Sequence, residues 1–321
     1  VTDRVARAVA AAAAVARAQG LPRPDPVVLH DGVNVVVHLR PAPVVARVAT
    51  LTPLLRPAIG GPFGREVALA TALTGVGAAV VPPSDLLPPG PHEQDGLTLS
   101  FWRHLEVLPE RPTPAQAGAA FGELHAALAD LPPLWTGSPL DTPLEDLAEF
   151  AVQGRELGAD PALVDRTAEL VARLRPLLTG PETTLHGDTH PGNLLRTPAG
   201  WVWADLEDTS RGPLGWDLAC LRRTSRLDGR AALDALPGAP TDADLAPFGW
   251  LRALHAAAWW HVHAVRVPAD LAAARDQLRT AVEEVSAGLR APPPGRGRPG
   301  TARGGPAASP VAGPPTGAPR G

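Results

Sequence analysis

The segment "LHGDTHPGNLLRTPAGWVWAD", Leu185 to Asp205, decides how this chain is read. It holds one of only two asparagines in 321 residues, the other being Asn34. Leu194 to Thr197 and Trp201 to Ala204 read as strands joined by the turn Pro198-Ala199-Gly200. If Thr197 opposes Trp201, then Asn193 opposes Asp205, and directly opposed antiparallel residues have α-carbons roughly 4.5 to 5.5 Å apart. An amide oxygen and a carboxylate side by side suit Mg²⁺, which takes few protein ligands and completes its shell with phosphate oxygens and water. Asp188, earlier in a loop shaped by glycine and proline, is placed to accept a proton from a hydroxyl. A rival reading takes His186, Asp188 and His190 as an H-x-D-x-H zinc set in a metallohydrolase. It leaves Asn193 without a role, and no second cluster of that type accompanies it.

Composition narrows the classes. The chain has no Lys, Met or Tyr and a single Ile, Ile59, so all 29 basic residues are Arg. A GC-rich coding sequence accounts for that skew. A formal charge of -4 gives no footprint for nucleic acid. The lone cysteine, Cys220, rules out an internal disulfide and fits a reducing compartment. "RAVAAAAAVARA" has the look of a leader, but Arg17 interrupts it, and Val5, Val9, Ala12 and Ala16 share one helical face. No run approaches the roughly 20 apolar residues of a membrane span. The expectation is a cytoplasmic protein whose partner is a small molecule, with neither nucleic acid nor membrane.

Outward from the quoted segment, the chain divides into a first helix within 1–20, a sheet-rich lobe over 21–101, a joint at 102–106, a helical lobe over 107–291 and a disordered tail over 292–321. In the first lobe "PVVLH", "NVVVHL" and "VVARVAT" read as strands, with Asp31-Gly32 as the hairpin turn between the first two. Glu66 to Leu73 has helical spacing, and "AAVVPP" and "LTLSFW" again look extended. Thr113, Pro114 and Gln116 form an N-cap, a first-turn proline and a capping box. Further helices are expected at 143–157, at 161–178 capped by Asp160, near Leu218, at 247–267 and at 268–289. Sheet-rich and helical parts joined by a short connection predict an α+β fold of two lobes with a cleft between them.

"HGDTHPGN" followed by Asp205 resembles the catalytic loop and metal aspartate of the aminoglycoside phosphotransferase and choline kinase-like family. The resemblance implies a two-lobed protein-kinase-like fold and ATP-dependent transfer of the γ-phosphate to a hydroxyl of a small molecule, aminoglycoside-like or otherwise. It makes Asp188 the catalytic base, Asn193 and Asp205 the Mg²⁺ ligands, and His186 a brace of the loop. Asp217 in "GPLGWDLACL" corresponds to a later family aspartate that ties the C-lobe together. Arg47 in "VVARV" occupies the position of the family's phosphate-binding Lys, and Glu66 that of its helix partner. "DGVN", with Gly32 and Asn34, is similar to the loop that covers the nucleotide. "SFWRHLE", with Phe101, Trp102 and Arg103, implies the hinge that meets adenine. Arg in place of Lys leaves a nucleotide-binding pseudokinase as the alternative.

Plainer roles stand beside these. Arg47 with Glu66 also reads as a surface ion pair, His125 as a packing histidine, and Asp217 as structural. Trp259, Trp260, His261 and His263 read as helix packing or as a substrate wall. For a polycationic acceptor the available acids are Glu207, Asp208, Asp242 and Asp244, whereas the tryptophans suit a quaternary ammonium or a bulky apolar ligand.

Overall fold

The computed structural model describes residues 3–290, so the tail expected over 292–321 lies outside the described residues. Helix α1 (Asp3–Ala18) buries Val5, Ala8, Ala12, Val15 and Ala16, a stripe at helical spacing. The next elements are β1 (Asp25–Asp31), β2 (Asn34–Arg40), β3 (Val44–Ala49), α2 (Gly60–Gly75), β4 (His92–Gln94) and β5 (Leu97–Arg103). The five strands form one antiparallel sheet in the order β1-β2-β3-β5-β4. Val35, Val37 and Leu39 of β2, Val44, Ala46 and Val48 of β3, and Leu99 and Phe101 of β5 pack with α1. The twofold period of a strand then turns Arg47, Ser100 and Trp102 to the opposite face, toward the cleft.

The first hairpin is looser than expected. Asp31 pairs with Val35, so it belongs to β1, and the register shifts between Val28 and His30 because Leu29 is an extra residue. "AAVVPP" is not a strand. Only isolated bridges, Val80 to Trp203 and Pro83 to Trp102, hold it, since its prolines have no N–H to donate. Strand β4 went unforeseen because three residues carry no readable alternation.

The second half contains α3 (Pro114–Asp130), α4 (Asp141–Gln153), α5 (Pro161–Leu174), β6 (Glu182–Leu185), β7 (Leu194–Thr197), β8 (Gly200–Trp203), β9 (Ser210–Pro213), α6 (Gly215–Arg222), α7 (Gly229–Asp234), α8 (Asp242–Arg266) and α9 (Leu271–Gly288). Helix α3 starts on the expected capping box, with Thr113 Oγ1 accepting from the Gln116 N–H and Gln116 Oε1 from the Thr113 N–H. Asp160 caps α5 as expected. Helix α8 begins before Pro247 because Thr241 and Asp244 form a second capping box. Phe150, Trp216, Leu254 and Leu278 centre one core among the C-terminal helices. Leu69 and Leu73 of α2 share a second core with Phe121, Trp203 and Leu221, which fastens α2 to the helical half. Among the described residues no helix is long and apolar enough to cross a membrane.

Candidate active site

The loop after β6 is built around Asp217. Its two carboxylate oxygens accept from the backbone N–H groups of His186 (2.8 Å) and Gly187 (2.9 Å), and His125 Nε2 lies 3.0 Å away. Thr189 donates its hydroxyl to the Asp217 carbonyl at 2.6 Å. Gly187 has φ +92°, and a Cβ there would collide with the Asp208 carbonyl oxygen, so the turn requires glycine. The ring of His186 accepts from the Asp188 N–H at Nδ1 (3.3 Å) and faces the Ala204 carbonyl with Nε2 (3.1 Å), which places the ring proton on Nε2. Burial keeps this imidazole below its usual pKa despite Asp217 and Asp188. With both ring nitrogens bound to backbone groups, His186 cannot ligate zinc, and the H-x-D-x-H reading falls.

The hairpin differs from its expected register by one residue. Thr197 pairs with Gly200 and Leu194 with Trp203, so the turn is Pro198-Ala199 and Gly200, at φ +135°, already belongs to β8. Asn193 therefore lies level with Ala204, whose N–H donates to the Asn193 carbonyl at 2.8 Å. A one-residue slip would normally send the next side chain to the wrong face. Asp205 escapes that because it adopts a left-handed conformation, φ +67°, and turns its carboxylate into the cleft, where its side chain is 43% exposed.

Asp188 is held on both oxygens. Arg252 of α8 donates Nη2 to Oδ1 at 2.6 Å, while His190 Nε2 and Asn193 Nδ2 lie 3.3 and 3.4 Å from Oδ2. Burial opposes its ionisation, but Arg252 and then His190 outweigh burial and hold the carboxyl well below the usual range. Asn193 also donates Nδ2 to the Asp188 carbonyl at 2.9 Å, so its amide oxygen is the atom it can offer a cation.

On the sheet side, Arg47 is buried and ion-pairs with Glu66 (2.6 Å), Asp205 (2.5 Å) and Glu207 (2.6 Å). The pair with Glu66 is thus interior rather than a surface contact. Glu66 Oε1 also accepts from the Leu206 N–H at 3.1 Å, joining α2 to the chain just past Asp205. Three carboxylates share this guanidinium. Burial, against the attraction of Arg47, pushes Glu66 up to about 8, with repulsion by Glu207 and Asp205 adding to it; burial likewise pushes Glu207 up to about 7 against Arg47, with repulsion by Asp205 and Asp208 adding and Arg56 opposing. Glu66 Oε2 is buried without a hydrogen-bond partner. Among the described residues no three His, Cys, Asp or Glu side chains converge as a self-sufficient metal site. A surplus of carboxylate beside a half-open Asp205 does fit a cation that brings phosphate oxygens with it.

Other expected positions are placed differently. Asn34 is buried and donates Nδ2 to Glu207 (3.0 Å) while accepting from Thr52 (2.6 Å), which orients Glu207 under Arg47. Gly32 lies in the loop before it, its carbonyl accepting from Arg4 at 3.3 Å. Phe101 does not reach the cleft: it faces α1, and its N–H and C=O bond Pro89 and Ser84, so neither is open to adenine. Trp102 faces inward with Nε1 on Ser100 (2.8 Å), and Arg103 is drawn outward to Asp85 (2.6 Å).

A buried network went unread in the sequence. Arg56 binds Asp146 with two hydrogen bonds (2.8 and 2.6 Å) and pairs with Asp208 at 2.7 Å. His255 and Trp259 close on the same Asp146 oxygen, at 2.8 and 3.0 Å. Trp260 packs with Ala264 and Ala274, so the two adjacent tryptophans take different surroundings. Arg252 had no local signal either, standing in α8 between Leu251 and Ala253.

A model of the phosphotransferase enzyme family matches residues 2–239. Solved structures with the same fold include amicoumacin kinase hAmiN in complex with AMP-PNP, Ca²⁺ and Ami, at TM-score 0.63 and 16% identity, covering 88% of this chain and 96% of that one. The choline kinase LicA from Streptococcus pneumoniae aligns at TM-score 0.54 and 15% identity over 79% of this chain and 90% of its own. A microcompartment-associated aminopropanol kinase aligns at TM-score 0.56 and 18% identity over 85% and 94%. With the loop around Asp188, the turned-in Asp205 and the Arg47–Glu66 pair gathered in one cleft, the chain belongs to the phosphotransferase enzyme family and has the protein-kinase-like fold of these kinases.

Proposed function

We propose that the protein transfers the γ-phosphate of ATP to a hydroxyl of a small molecule, with Asp188 receiving the hydroxyl proton. The observation that carries this reading is the convergence of Asp188 and Asn193 from the loop after β6, Asp205 from the turn after β8 and Arg47 from β3 on one cleft. Asn193 and Asp205 would hold Mg²⁺, whose chemistry there is to neutralise charge on the phosphates. Arg47 faces the phosphates from β3, held by Glu66, and a guanidinium supplies charge with a planar pair of donors. Since Arg47 already bonds Asp205, nucleotide binding has to share or loosen that contact.

Arg252 fixes Oδ1 of Asp188 at 2.6 Å, whereas the contacts of Oδ2 with His190 and Asn193 are longer, 3.3 and 3.4 Å, and Oδ2 is the atom that meets the acceptor hydroxyl. A carboxylate of low basicity serves here because phosphoryl transfer rests mainly on positioning and electrostatics. Its task is to orient the hydroxyl and take the proton as the new ester bond forms.

The test is Mg·AMP-PNP binding by calorimetry together with phosphate transfer from Mg·ATP to pooled hydroxyl compounds, each run on wild type and Asp205→Ala. Wild-type binding and transfer, both weakened in the variant, are expected. Binding without transfer to any pool would return the protein to the pseudokinase reading, and no binding would remove ATP altogether.

A further inference from the structure

The buried network at Arg56 and Asp146 reaches the reacting carboxylate. Arg252, His255 and Trp259 stand at helical spacing on one face of α8, and Asp146 of α4 meets that face. Arg252 donates Nη2 to Oδ1 of Asp188 at 2.6 Å, and its Nη1 lies 3.4 Å from Nδ1 of His255. His255 Nε2 lies 2.8 Å from Oδ2 of Asp146, which Arg56 holds by both oxygens. An unbroken line of polar contacts thus runs from Asp188 through Arg252, His255 and Asp146 to Arg56. At its far end Arg56, from the segment between β3 and α2, pairs with Asp208, close behind Asp205 in the chain.

The donors and acceptors of this line fit in one way. A guanidinium has no lone pair, so Nδ1 of His255 accepts from Arg252, and the ring proton sits on Nε2, facing the carboxylate. The other tautomer would set N–H against N–H at one end and a lone pair against an ionised oxygen at the other. Trp259 Nε1, 3.1 Å from that same Nε2, therefore donates to Asp146, at 3.0 Å. Burial opposes the ionisation of Asp146, but Arg56 and then His255 hold its carboxyl down to about 2. A lone bond from Nη2 would leave the Arg252 guanidinium free to turn on its stem. The second anchor at Nη1 fixes its plane, and with it the direction in which Asp188 is held.

Resting on the kinase reading above, we propose that His255 and Asp146 are positioning residues for the transfer step, acting through Arg252 to keep Oδ2 of Asp188 aimed at the acceptor hydroxyl. Their effect falls on kcat and not on nucleotide binding. Arg56 carries the same line to Asp208 and so couples the base to the turn that bears Asp205.

Two measurements test this. Turnover is read with Mg·ATP and the pool of hydroxyl compounds that wild type phosphorylates best, and as ATP hydrolysis with water as acceptor. His255→Leu and Asp146→Asn should each lower kcat about 10-fold or more, with the KM for ATP and the Mg·AMP-PNP affinity within about 2-fold of wild type. His255→Asn, whose amide oxygen takes the place of Nδ1 and restores the contact with Arg252, should regain part of that loss. His255→Gln, which reaches Asp146 only, should not, although a merely structural role would favour it. Leu278→Ala, a core change away from the line, should lower the melting temperature and leave kcat as it was. Wild-type kcat in His255→Leu or in Asp146→Asn, or His255→Gln matching His255→Asn, overturns the proposal. The second measurement needs no turnover: long-range proton–nitrogen NMR of the imidazoles, with His255 identified by its loss in His255→Asn, should show the Nε2–H tautomer. A proton on Nδ1 overturns the proposal. Absence of Mg·AMP-PNP binding by wild type would instead count against the kinase reading, so the two failures are distinct.

Discussion

The two halves of the cleft are mirror images in charge. On the sheet side one guanidinium, Arg47, is shared by Glu66, Asp205 and Glu207. On the helical side one carboxylate, Asp188, stands among Arg252, Arg226 and His190. The first half lacks positive charge, which a metal ion with its nucleotide would bring. The second keeps its carboxylate ionised, because Arg252 and then His190 outweigh burial and hold Asp188 well below the usual range. Both halves are built in burial, where an uncompensated charge is costly, so the carboxylate excess on the sheet side points to a cation that would correct it.

The strongest way to break this comparison is Asp188→Asn. The variant should lose about 1000-fold in kcat while binding Mg·AMP-PNP within a few-fold of wild type, because Asp188 meets the acceptor and not the nucleotide. Wild-type turnover would remove Asp188 from the chemistry and would leave Arg252 as a structural partner only.

Arg47→Ala should act on stability as well as catalysis. It strips three carboxylates of their common partner, and removing one member of a buried ion pair costs about 3–5 kcal/mol. Chemical denaturation should show a loss of that order, with Arg47→Lys recovering part of it and part of kcat/KM. An unchanged denaturation midpoint in Arg47→Ala would mean the carboxylates are neutral without it.

A pH titration sharpens the same point. Folding raises Glu66 and Glu207 from 4.5 to about 8 and about 7, so the folded state binds more protons than the unfolded one across that interval. Stability from these groups therefore falls as pH rises through it. Buried His186, His261 and His263 act oppositely, but only up to their unperturbed 6.5. Between about pH 6.5 and 8 the melting temperature of the nucleotide-free protein should decline, less so in Glu66→Gln, and Mg·AMP-PNP affinity should increase. A flat melting curve in both proteins would show that the surplus charge is dispersed elsewhere.

The smallest effect is expected at Arg103, on neither side of the cleft. Its exposed pair with Asp85 should be worth less than about 1 kcal/mol, and Arg103→Ala should leave the KM for ATP unchanged. A raised KM would restore Arg103 to the nucleotide site and extend the sheet side of the comparison.

What the sequence by itself determined is local. The glycine and proline of "HGDTHPGN", the strands on either side of Pro198-Ala199, the Thr113 capping box and the stripe of α1 are all set within a few residues. Alternation and capping leave such marks because they act over one or two turns of chain. Even there the hairpin register was one residue off, since nothing in the composition says that Gly200 joins the strand or that Asp205 turns left-handed. The charges that give the cleft its character were decided only by tertiary structure. Arg252 reaches Asp188 across 64 residues, Arg56 reaches Asp146 across 90, and Asn34 reaches Glu207 across 173. An arginine in the sequence records that a charge exists, but its partner is chosen when sheet, α2 and α8 pack together. Burial then makes that choice matter, because a guanidinium withdrawn from water has to find the nearest carboxylate, however far along the chain it lies.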